Sequence, residues 1–147
     1  MDHTLRIATS EDLPPLHRLL TAMHSGTVVG TSPLDLSRLE AALDYSVSRG
    51  EVLVAEVDGE IVGSIAWMEC SDWWSTELYL ADRWFFVYKG YRNSRVALTL
   101  VRGFLEVGRA AGIKVRMGHV YSGDLARKDK FYGRLGLTKV GSLYVEV

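Results

Sequence analysis

Asp58-Gly59 sits between two runs of alternating, largely apolar residues, Val-Leu-Val-Ala at 52–55 and Ile-Val-Gly-Ser-Ile-Ala-Trp at 61–67. A two-residue Asp-Gly loop suits the turn that joins twisted antiparallel strands, because both of its positions take a positive φ. The middle of the chain is thereby committed to a hairpin. A lone hairpin is marginal in water, so other elements must cover it.

The flanking sequence supplies them. A short strand around Leu5 and Ile7 is followed by a helix-start signal, a hydroxyl at Thr9 or Ser10, then Glu11, Asp12 and an early Pro14. Leu13, Leu16, Leu19, Leu20 and Met23 then recur at helical spacing. A second helix opens at Asp35 or Ser37, carries Leu36, Leu39, Leu43 and Val47, and stops at Gly50. Beyond the hairpin, residues 77–88 read as a strand. Residues 92–111 form the best helix of the chain, with Val96, Leu100, Phe104 and Val107 on one face and Gly112 as its stop. Residues 114–121 alternate as a strand, 125–135 read as a polar helix ending at Gly136, and 137–147 as a last strand. The order β-α-α-β-β-β-α-β-α-β predicts an α/β (α+β) fold, a central mixed sheet of six to seven strands flanked by helices, in a single domain over 1–147.

Composition narrows the functional classes. A chain of 147 residues buries roughly 70% of its unfolded surface and can build a core without staples. The net charge of −1 forces no basic face, so nucleic acid is not an expected partner. Cys70 is the single cysteine; with no basic neighbour it reads as a small buried hydrophobe. The four histidines, His3, His17, His24 and His119, are scattered, so no metal site is expected; His119 reads as a mid-strand core group. Asp2, Arg6, Glu11 and Asp12 interrupt any signal-peptide apolar region, and no run approaches the ~18 apolar residues that cross a bilayer. The expectation is a reduced, cytoplasmic domain with no membrane partner.

Two segments carry candidate chemistry. In Val87-Tyr-Lys-Gly-Tyr-Arg-Asn-Ser-Arg-Val-Ala97, a strand gives way to a turn and a long helix. The first N–H groups of a helix lack internal partners and face anions favourably, and Arg92 and Arg95 add forked donors that suit phosphate. The same residues also read as solvated charges at a turn, with Asn93 or Ser94 as a cap. In Lys130-Phe-Tyr-Gly-Arg-Leu-Gly-Leu137, Tyr132 offers a phenol that can donate to a departing thiolate, and reads equally as a ring packed on the sheet.

Four stretches together resemble the GNAT N-acetyltransferases over nearly the whole chain: residues 6–19 (the family's opening strand and first helix), 54–65 (its central hairpin), 87–97 (its coenzyme motif) and 131–137 (its closing tyrosine-glycine signature). The resemblance implies acetyl-CoA as co-substrate and an amine, small-molecule or peptide, as acceptor. It implies that the strand ending at Phe85, Phe86 and Val87 splays from the strand beginning at Lys114, with the pantetheine arm in the gap. Arg92, Asn93, Ser94, Arg95, Val96 and Ala97 would hold the pyrophosphate, Arg95 with an added contact to a phosphate, and Tyr132 would sit beside the sulfur as general acid. The acceptor would enter from the other side, between residues 26–33 and the Trp73-Trp74 loop.

The departures are specific. Arg95 and Ala97 stand where the motif has glycines, Leu137 replaces an aromatic, and Leu125 is near the position of a frequent asparagine. Ala81 stands where some members carry a glutamate base, which leaves Glu77 to act through water. These departures also suit an alternative, a coenzyme-binding scaffold without turnover that serves as a binding or regulatory module. Trp67 reads as core, and one of Trp73 and Trp74 as lining an acceptor pocket or a dimer surface. With one strand after Gly136 the sheet edge would be open, which a second copy in a homodimer would cover.

Overall fold

The computed structural model describes residues 2–26, 32–92, 94–118 and 124–146. Its sheet follows chain order, β1 (Thr4–Ile7), β2 (Val52–Val57), β3 (Glu60–Ser71), β4 (Leu78–Val87) and β5 (Lys114–Arg116). The first four strands are mutually antiparallel, and β5 lies parallel to β4. Asp58 and Gly59 take φ of 50° and 79° in the β2–β3 turn, the left-handed pair that Asp-Gly favours.

Helices cover both faces. α1 (Leu13–Ser25) and α2 (Leu36–Ser48) pack on one face, where Leu16, Leu19, Leu20 and Leu43 bury against Val52, Val54, Ala66 and Trp84. Asp35 caps α2 by accepting from Arg38 N–H at 3.0 Å. α3 (Val96–Ala111) covers the other face, with Val96, Leu100 and Phe104 fully buried. Phe104 stacks on Trp67 at 5.7 Å, so Trp67 is core as expected. Each such side chain contributes roughly 1.5–3 kcal/mol by burial. Gly63 on β3 allows the first turn of α3 to lie close, since a Cβ there would stand 3.0–3.2 Å from Leu100, Val87 and Val96. The buried Ser64 is satisfied, donating to Leu53 C=O at 2.9 Å and accepting from Trp84 Nε1 at 3.0 Å.

Two expectations change. The sheet has five strands among the described residues, not six or seven: residues 137–146 form no strand, with Val140 95% and Tyr144 92% exposed. A strand persists only beside a matching backbone edge. β5 ends at Arg116, the Gly118 N–H is taken by the Asp82 carboxylate, and Lys139 is tied back to Asp129 of α4 (Leu125–Arg134) at 3.1 Å. Second, α3 begins at Val96 rather than at Arg92. A 3-10 turn over Lys89–Tyr91 precedes it, and the Ser94 hydroxyl donates to Tyr91 C=O while accepting from Val96 N–H at 3.3 Å. That hydroxyl closes a separate turn over the residues expected to open the helix. Cys70 is half-buried rather than buried. His119 and residues 27–31 lie outside the described residues.

Candidate active site

The site is built on β4. Its first half is paired on both sides, with β3 along its length and with β5 at Tyr79–Lys114, Leu80–Val115 and Ala81–Arg116. After Ala81 no described residue of β5 continues the pairing, and residues 119–123, which follow it in the chain, lie outside the described residues. The Asp82 carboxylate fixes the parting by accepting from Gly118 N–H at 3.0 Å.

A bulge coincides with it. Ala66 faces Trp84 and Trp67 faces Asp82, so Arg83 stands opposite no residue of β3. A bulge re-aims side chains. Leu80 is buried on the α3 side, whereas Trp84 is buried on the α1/α2 side, so the strand's alternation is reset between them.

Tyr132 projects from α4. Burial first, and then the Asp82 carboxylate, push its phenol well above the ordinary tyrosine value, which keeps it protonated at neutral pH. One helical turn earlier, Lys128 lies on the same face at the i, i+4 spacing. Desolvation first, and then the Arg92 guanidinium, pull the Lys128 ammonium below its usual value. Arg92 itself donates from Nε to Val87 C=O at 2.9 Å and lies 5.1 Å from the Phe86 ring centroid. Two side chains on one face of α4 thus come within electrostatic range of β4 and the turn after it, Tyr132 of Asp82 and Lys128 of Arg92.

The remaining expected residues are placed as follows. Phe86 sits beneath Arg92, Val87 is buried under α3, and Phe85 packs against the same core. Ser94 forms the turn described above. Arg95 is the exposed N-cap residue of α3, and its carbonyl accepts from Thr99 N–H and Oγ1, each at 3.0 Å. Val96 and Ala97 open the helix, and Asn93 lies outside the described residues. Glu77 is exposed just before β4, its N–H donating to Ser75 Oγ at 3.0 Å. It stands five residues from Asp82, about 16 Å along an extended strand, so the fold does not bring it to Tyr132. Lys128 and Arg83 were missed. Lys128 carried a usable signal, its spacing from Tyr132. Arg83 carried none, because strict alternation counted back from Trp84 puts it on the opposite face.

The fold, a mixed five-stranded sheet among the described residues with helices on both faces and a bulge in β4 next to its parallel pairing with β5, is that of an α/β acyltransferase. The chain belongs to the acetyltransferase (GNAT) family, whose model matches residues 13–137. Members of that family use acetyl-CoA. The chain matches AAC(6')-Iy, solved with the bisubstrate analogue CoA-S-monomethyl-acetylneamine, at a TM-score of 0.76 and 16% identity, over 100% of this chain and 98% of that one. It matches glucosamine-6-phosphate N-acetyltransferase from Arabidopsis thaliana at a TM-score of 0.74 and 15% identity, over 100% and 99%. An acetyltransferase from Trypanosoma brucei matches at 0.70 and 22% identity, over 99% and 100%. At such identities these likenesses speak for the fold. No curated protein sequence matches. Among the described residues, no helix is long and apolar enough to cross a membrane.

Proposed function

We propose that the chain moves an acetyl group from acetyl-CoA to a primary amine by direct attack. The observation that carries this reading is the parting of β4 from β5 after Ala81, with Tyr132 beside Asp82 and the Arg92–Lys128 pair at the far end of the same strand edge. The residues fit the coenzyme. The edge of β4 from Asp82 to Val87, which no described residue of β5 pairs, would offer backbone groups to an extended amide-bearing arm, as strand addition does. Arg92, Lys128 and the first turn of α3 at Val96 and Ala97 hold its pyrophosphate together with Asn93, Ser94 and Arg95, Arg95 giving a further phosphate contact. Phe85, Phe86 and Val87 form the wall of the gap.

In the reaction the amine lone pair attacks the thioester carbonyl carbon, the C–S bond breaks, and the thiolate leaves. Tyr132 donates toward the sulfur. A thiol titrates near ~8.5, well below this phenol. Full proton transfer is therefore uphill, and Tyr132 acts chiefly by a hydrogen bond that strengthens as charge develops on sulfur. The ammonium proton leaves through water, with the exposed Glu77 as its remote acceptor. Ala81 at the vertex supplies no base, so the acceptor reacts from its neutral fraction and the rate rises with pH toward the amine's own pKa.

The test follows release of free thiol from acetyl-CoA across amine mixtures, for the wild type and Tyr132→Phe. Loss of a positioned proton donor costs about 10²-fold or more in kcat, with acetyl-CoA affinity held. Stabilisation by acetyl-CoA without thiol release from any amine would leave coenzyme binding alone. Unchanged kcat in Tyr132→Phe would remove Tyr132 from the mechanism.

A further inference from the structure

Arg83 is the bulged residue of β4, one position beyond Asp82, so it stands at the vertex but on the side away from α3. Its guanidinium lies over the Tyr45 ring of α2 at 5.8 Å, and that ring is half-exposed. Arg49 lies over the same ring at 5.4 Å, but it is held by Glu51 at 2.7 Å, with Glu69 also acting on it. Arg83 has no such partner: among the described residues no carboxylate reaches it, and its Nε is buried without a hydrogen bond. An unsatisfied buried N–H costs about 1–3 kcal/mol, and most arginines at such positions are paired.

The other cations near β4 are accounted for differently. Arg92 bonds Val87 C=O at the far end of the strand, and Arg116 makes a bidentate pair with Asp72 at 2.8 and 3.0 Å while stacking on Tyr79. Among the described residues, Arg83 is the cation with forked donors next to the end of the β4–β5 pairing on the face opposite α3. The Tyr45 ring lies 5.8 Å from the Arg83 guanidinium carbon, and a guanidinium fork suits two oxygens of one anionic group.

We propose that Arg83 binds an anionic oxygen pair, a carboxylate or phosphate, on the acceptor, so that the enzyme selects amines that also carry such a group. The inference rests on the acyl-transfer reading above. It makes Arg83 a specificity determinant that acts on the acceptor and leaves the coenzyme untouched.

The experiment uses matched acceptors: alanine against alaninamide, and phosphoethanolamine against ethanolamine, with spermidine as a polycationic control. Wild-type enzyme should prefer the anionic member of at least one pair by about tenfold or more in kcat/KM, the worth of one charge-assisted contact. The pair that responds separates carboxylate from phosphate. Arg83→Gln should collapse that ratio toward one through KM, with turnover of the neutral member and stabilisation by acetyl-CoA unchanged. Arg83→Lys, which keeps the charge and loses the fork, should fall between and guards against a folding defect. If no amine is turned over, the same pairs are read by how far each stabilises the CoA complex, with the same expected ratio and the same loss in Arg83→Gln. Preference for spermidine or the neutral members, or a ratio that survives Arg83→Gln, would overturn the proposal. The acyl-transfer reading would stand in that case, because it fails only if acetyl-CoA neither binds nor releases thiol.

Discussion

Two clusters in this molecule hold arginine close to other charged groups, and they do so with opposite electrostatics. Arg6 on β1 donates to both oxygens of Asp12, at 2.7 and 2.8 Å, and to Glu56 of β2 from both Nε and a terminal nitrogen. Asp12 also accepts from Thr9 N–H at 2.7 Å. Every charge there meets its opposite: the Arg6 bond holds the Asp12 carboxyl below its usual range, and the Asp12 bond pushes the Arg6 guanidinium up. At the far end of β4, Lys128 is pulled down first by desolvation and then by the like charge of Arg92. The first cluster ties β1, the start of α1 and β2 together. The second sets two cations within each other's field, a repulsion that an anion between them would relieve. Charges that pair with their opposites inside the fold are architecture; two cations drawn toward one strand end are where an anionic ligand is expected.

That contrast predicts where mutations will act. Asp12→Ala should have the largest effect on stability, about 2–3 kcal/mol, since it removes a buried cap and the main partner of Arg6 together. In a domain of this size that is a fall of roughly 6–10 °C in Tm. The pH dependence has a definite sign. The Asp12 value is lowered in the folded state, so its contribution is present above the ordinary value of 3.8 and is lost as pH falls through the lowered one. The gap between wild type and Asp12→Ala should therefore narrow on acidification, and a constant gap would mean that the charge of Asp12 contributes little. Acetyl-CoA should stabilise both proteins equally.

Arg92→Ala should reverse that pattern. Its own Tm should move little, because Arg92 is exposed and makes one hydrogen bond to the strand end. Wild-type protein with acetyl-CoA at ~100 times its dissociation constant should gain about 2.7 kcal/mol, and the variant should lose most of that gain. A variant destabilised alone but stabilised normally by acetyl-CoA would make Arg92 architectural and end the contrast.

Much of this was legible in the sequence. Periodicity and the Asp-Gly turn marked every helix and the first four strands, because those signals are local. What failed was set by tertiary geometry. Ser94 closes a turn with Tyr91 and so delays α3 to Val96, although the arginines looked like a helix start. The alternation of residues 137–147 suits a strand, but strand formation needs a partner edge, and the Lys139–Asp129 contact leads the chain along α4 instead. The bulge at Arg83 turns one side chain to the opposite face, which no period-two reading can show. Tyr132 and Arg92 were found as candidates because a motif carried them. Lys128 was within reach through helical spacing alone.

Lys128→Ala sharpens the comparison on a smaller scale. Removing one of two facing cations should leave the free protein unchanged or more stable by a few tenths of a kcal/mol, while weakening acetyl-CoA binding by about fivefold to tenfold, near 1 kcal/mol. The pH sign is the same as for Asp12, with stability rising as pH rises, although what titrates here is a penalty rather than a gain. Lys128 is lowered in the folded state, so its penalty is present at neutral pH and relieved as pH rises through that lowered value. Equal acetyl-CoA affinity in wild type and Lys128→Ala would show that the ammonium does not meet the pyrophosphate.

The smallest effect should come from Glu77→Gln. Glu77 is exposed, its backbone N–H is held by Ser75, and it lies at the head of β4 rather than at the parting where Tyr132 faces Asp82. A proton accepted through water at such a distance can equally pass to solvent, so kcat/KM should fall by about threefold at most, without change in the pH at which the rate reaches half its plateau. A tenfold loss with a shifted pH profile would instead make Glu77 the base.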